Sequence, residues 1–202
     1  MAHHENRALP SSQQVALIRS GLLLEYATLG WNVVGCWIVL ASAYAAKSVA
    51  LAGFGIDSVI EIFASVIVVW QLKAVNKDKE PLAERLIGIA FLFLALYIAV
   101  QSAIVFLTRF HPKTSLVGIV WLALTAVAML LLAYGKGRTG RALGNPVLQK
   151  ESKVTVIDGV LAATVLTGLI LDATFGLWWA DPLAALIIVA YGVREGVAAI
   201  HG

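Results

Sequence analysis

Six runs of about 20 mostly apolar residues follow one another along this chain, and that is the length an α-helix needs to cross the hydrocarbon core of a bilayer. They cover residues 16–40, 48–72, 85–108, 115–135, 154–174 and 180–200. One large soluble core is not an alternative. With 60% hydrophobic and 13% charged residues among 202, the chain lacks the polar coat of soluble domains, which carry about 25% charge. The expected fold is an all-α membrane protein with six transmembrane helices, one domain over 16–202 after a polar, disordered start at 1–15. That start, "MAHHENRALPSSQQ", has no apolar centre and does not read as a signal peptide; its His3 and His4 belong to a bland tail. The single cysteine, Cys36, lies in an apolar run and reads as packing.

The breaks between the runs are polar, glycine-rich or proline-bearing: 73–85 with Pro81, 109–115 with Pro112, 134–153, and 173–182 with Trp178 and Trp179. Lysine and arginine fall unevenly among them. With both termini cytoplasmic, the inner side receives Arg7, Arg19, Lys73, Lys77, Lys79, Arg85, Lys136, Arg138, Arg141, Lys150, Lys153 and Arg194. The outer side receives only Lys47, Arg109 and Lys113. Inner loops of membrane proteins are the basic ones, so this asymmetry sets the orientation. The positive balance therefore points to a membrane surface and not to nucleic acid.

Five acids lie inside the apolar runs: Glu25, Asp57, Glu61, Asp158 and Asp172. Each costs about 2.5–3.5 kcal/mol on insertion scales, which makes each a functional candidate. Asp57 and Glu61 are four apart in "GFGIDSVIEIF", so they share one helix face and repel when both are ionised. No run has a basic residue near its centre, which removes an internal salt bridge and leaves a cation or shared protons as the relief. Counting about 1.5 Å of rise per residue puts Glu61, Asp158 and Glu25 at similar depth, with Asn32 two turns above Glu25. The candidate site is Asp57, Glu61 and Asp158, with Glu25 and Asn32 near enough to assist. The bland readings are a polar pair bonded to Ser58, Ser65 or a neighbouring threonine, and Asp158 as a helix cap after Thr155. Asp172 and Asp181 read as outer-surface or capping residues. Gly53, Gly55, Ala64, Ala162, Ala163 and Gly168 read as close-packing positions.

These stretches resemble the cation diffusion facilitator, or cation efflux, family. "DSVIE" is similar to the family's Asp-x-x-x-Asp pattern in the second of six spans, with Glu61 as the second acid. "IDGVLAATVLTGLILDATFGLWWADPLAALIIVAYGVREG" resembles its fifth and sixth spans. "LEYATLGWNVVG" and "GRALGNPVLQKES" look like short bacterial members with no C-terminal cytoplasmic domain. The resemblance implies that Asp57, Glu61 and Asp158 are ligands of a transported divalent metal. It also implies a homodimer in the bacterial inner membrane that exchanges metal for protons by alternating access, with no permanently bound cofactor. The family places His or Asp four residues before the fifth-span acid. Here that residue is Val154, so Thr155, Glu25, Asn32 or water must complete the shell. An all-oxygen shell leans to Mn, Fe, Co or Zn. Two other classes compete: a non-transporting homologue acting as a scaffold, and an intramembrane aspartyl protease whose acids share a proton.

Overall fold

The computed structural model describes residues 11–73, 80–110 and 113–201. Residues 1–10 with Arg7 and the His3–His4 pair, the 74–79 segment with Lys77 and Lys79, and Pro112 lie outside the described residues, whereas 11–15, expected to be disordered, form the first turn of a helix. Six helices account for nearly all the rest: α1 Ser11–Ala46, α2 Val49–Lys73, α3 Glu80–Thr108, α4 Leu116–Leu143, α5 Pro146–Phe175 and α6 Ala180–His201. Four contain stretches long and apolar enough to cross a membrane: Ser12–Ala46, Phe91–Thr108, Leu116–Leu143 and Glu151–Phe175.

The largest departure from the sequence expectation is at 134–153, read there as the longest connector. It is almost wholly helical. The turn between α4 and α5 shrinks to Gly144 and Asn145, and three local signals build it. Gly144 ends α4 in the left-handed conformation (φ 61°), where a Cβ is strained. Asn145 caps α5, its side chain accepting from the Leu148 backbone N–H at 3.0 Å. Pro146 then occupies the first turn of α5, where its missing N–H costs nothing.

The helices pair α4 with α5, α3 with α6, and α1 with α2, and α2 also touches α3, α5 and α6. That makes α2 the central helix. Its first turn is fastened by Asp181 of α6, whose carboxylate accepts from Ser48 Oγ and from the backbone N–H of Val49 (3.0 Å) and Ala50 (3.4 Å). The capping reading of Asp181 is thereby met, since these N–H groups have no partner inside their own helix. Close packing rests on small residues. A Cβ added at Gly196 would stand 2.8 Å from the Gly88 carbonyl oxygen, so α3 and α6 meet backbone to backbone there. Gly53, Gly55, Ala162 and Gly168 are buried as the packing reading expects, whereas Ala163 is exposed.

The buried face of α1 is Gly21, Glu25, Thr28, Asn32, Gly35, Val39 and Ala43, a three-and-four spacing made mainly of small and polar residues. Its exposed face carries Leu23, Val34, Trp37 and Tyr44. In lipid this inversion is expected, because apolar side chains gain nothing by leaving hydrocarbon. Between α1 and α4, Trp31 stacks on Trp121 at 5.0 Å and donates its indole N–H to Thr125 at 3.0 Å.

Candidate functional site

Asp57, Glu61 and Asp158 are all buried, each no more than 2% exposed. The first two project from one face of α2, together with Phe54, Ser58 and Ser65, and α2 packs against α5, which carries Asp158. Asp57 Oδ1, Glu61 Oε2 and both carboxylate oxygens of Asp158 have no hydrogen-bond partner among the described residues. Buried carboxylate oxygens without donors are costly, so such a cluster calls for a cation or protons. The same described residues contain no three His, Cys, Asp or Glu side chains already drawn together round one point.

Neither bland reading of these acids finds support here. Ser58 donates to the Phe54 carbonyl of its own helix at 3.1 Å, and Ser65 Oγ has no partner. The two serines therefore do not satisfy the α2 pair. Asp158 does not cap its helix either: Asn145 does, and Asp158 lies roughly three turns further in.

One inference from the sequence is corrected. Lys136, assigned there to a connector, is a residue of α4 and is fully buried. Its ammonium stands 3.1 Å from Glu25 Oε2 and donates to Glu151 Oε1 at 3.3 Å and Thr155 Oγ1 at 3.1 Å. An internal salt bridge therefore exists. It forms one level away from Asp57 and Asp158, because α4 continues as a helix past its apolar run. Thr155 also donates to the Glu151 carbonyl at 2.9 Å, so its one proton is committed within its own helix. Glu151 and Lys136 were not singled out in the sequence. The signal was present: Met129, Ala133, Lys136 and Gly140 continue the buried face of α4 at helical spacing, as Glu151, Thr155 and Asp158 do on α5.

This network also separates the two assisting candidates. Glu25 and Glu151 share Lys136 and so stand at one level on α1 and α5, which run parallel because both are antiparallel to α4. Seven residues further along each, about 10 Å, come Asn32 and Asp158. Asn32 is buried, and its Nδ2 has no partner. By level, Asn32 belongs with Asp158 and Glu25 with Lys136. Val154 is half-buried, one turn before Asp158. A cavity of about 600 Å³ opens beside α2, lined in part by Leu40, Tyr44, Ile56, Tyr97 and Gln101 and by none of the acids.

The model of the cation efflux transmembrane domain matches residues 26–200, from near the middle of α1 to the end of α6. Together with the apolar helices and the buried acids, that match makes the chain a multi-pass membrane protein and a transporter of cations, not an enzyme: it belongs to the cation efflux family.

Proposed function

We propose that this transporter carries a divalent metal ion out of the cytoplasm in exchange for protons, by alternating access, with Asp57, Glu61 and Asp158 holding the ion. The observation that carries this reading is the set of buried, partnerless carboxylate oxygens on the facing helices α2 and α5. A carboxylate takes up either a metal ion or a proton, so one set of residues can couple both fluxes. Closing the three side chains round an ion needs rotation from the arrangement described above, and Asn32 or water completes the shell. The donors are oxygens, which favours Mn²⁺, Fe²⁺, Co²⁺ or Zn²⁺. The working form is a homodimer in a bacterial inner membrane with both termini cytoplasmic.

The direct test is proton flux driven by metal. Proteoliposomes loaded with a pH-sensitive dye should show proton counterflow when Mn²⁺ or Zn²⁺ is added on one side, and none with K⁺. Metal uptake with no proton movement would remove the coupling, and no uptake at all would favour the scaffold reading.

The orientation has its own test. At the end of the bundle with the α4–α5 turn, the exposed basic residues include Arg19, Arg138, Arg141, Lys153 and Arg194; the opposite end has Lys47, Arg109 and Lys113. In a Cys36→Ala background, Ala142→Cys should react with a membrane-impermeant thiol reagent only from the cytoplasmic side. Thr114→Cys, at the opposite end, should react only from outside. The reverse pattern would turn the transporter into an importer on the same mechanism.

A further inference from the structure

Lys136 has no part in the reading above, yet it is the one fully buried ammonium among the described residues. It meets three oxygens, on Glu25 of α1 and on Glu151 and Thr155 of α5. These match the three protons of an ammonium in number. Thr155 is one turn before Asp158, so the ammonium it accepts from stands about one helical turn from the α5 acid. Two buried carboxylates, Glu25 and Glu151, touch this cation, and Asp158 lies one turn beyond Thr155 on the buried face of α5. A flexible four-carbon stem carries that cation, so its position can follow the charge around it.

We propose that Lys136 is a tethered counterion of the metal site, competing with the transported ion for the buried carboxylates and so limiting how tightly that ion is held. The inference rests on the proposed function and adds a residue that sets affinity without binding metal. With the metal gone, the charge of Lys136 offsets part of the repulsion among Asp57, Glu61 and Asp158. A transporter gains from this, because an ion bound too tightly cannot leave.

The test is Mn²⁺ binding by isothermal titration calorimetry on the purified, detergent-solubilised protein, with thermal melting alongside. Lys136→Gln should bind Mn²⁺ on the order of tenfold more tightly than wild type, through loss of a nearby positive charge in a poorly screened interior. Lys136→Arg keeps the charge and should stay near wild type. Glu151→Gln should weaken binding, because Lys136 then lacks one of its two carboxylates. The double variant Lys136→Gln/Glu151→Gln, which removes both charges together, should return close to wild type. If Lys136 only braces α1, α4 and α5, melting temperatures fall and Mn²⁺ affinity does not rise in any variant, which overturns the proposal. Should Lys136→Gln fail to fold, the decisive comparison is the double variant against Glu151→Gln: no tightening there overturns it equally. A different failure marks the reading beneath it. If Asp57→Asn binds Mn²⁺ as wild type does, the metal site itself is misplaced, and the role of Lys136 falls with it.

Discussion

Asp57→Asn and Glu61→Gln should each reduce metal transport to background while leaving the protein folded. Each amide keeps the shape of the side chain and removes the charge that would hold a cation. Unpairing a buried ion costs about 3–5 kcal/mol, which corresponds to a loss of more than about a hundredfold in affinity. Stability should move the other way or not at all. Neither acid is tied to Ser58, which bonds within its own helix, or to Ser65. The substitution therefore breaks no bond to these serines and relieves like-charge repulsion between positions four apart on one helix. A structural polar pair behaves in the opposite way, with transport retained and the melting temperature lowered. The measurement is metal uptake into everted membrane vesicles at matched expression, with melting of the purified protein. Wild-type uptake by either amide variant would rule out the α2 pair as the site.

The parts of this structure legible in the sequence are those where hydropathy and position agree. Six apolar runs mark six helices, and the acids within them stand out because the bilayer makes them expensive. The ends of the helices were much less legible. Hydropathy follows the membrane, whereas the backbone follows hydrogen bonding, so α4 and α5 run on through the basic, glycine-rich stretch to meet at Gly144 and Asn145. Ending the fourth run at 135 left Lys136 in a supposed loop, and from that followed the mistaken exclusion of an internal salt bridge. Reading the face and not the average avoids the error. On α4, Met129, Ala133, Lys136 and Gly140 keep the helical spacing after the apolar composition has given out. The same face reading puts Glu25 on the buried stripe of α1, but only the partner across the interface shows that its charge is answered by Lys136.

The other large effect is expected where α5 departs from the family pattern. Val154 lies one turn before Asp158 and is half-buried, and it offers no donor atom. With Asp57, Glu61 and Asp158 alone, the shell is all oxygen, and such shells suit harder ions with higher coordination numbers. Tetrahedral zinc gains most from a nitrogen ligand. Val154→His supplies an imidazole at the spacing that brings two side chains of one helix face together. Competitive transport in proteoliposomes should then shift toward Zn²⁺ over Mn²⁺, on the order of tenfold. Asp158→Asn, in the same assay, should lose transport of both metals. The comparison is informative because Asp158 has no competing structural task on α5: Asn145 caps the helix, and Thr155 is committed to Glu151 and Lys136. Lys136 sharpens the result further. A neutral histidine adds a ligand without adding charge, so the gain for zinc does not depend on displacing the ammonium. If Asp158→Asn transports normally and Val154→His leaves the metal preference unchanged, α5 takes no part in the site, and the ion must be held by α2 with α1 alone.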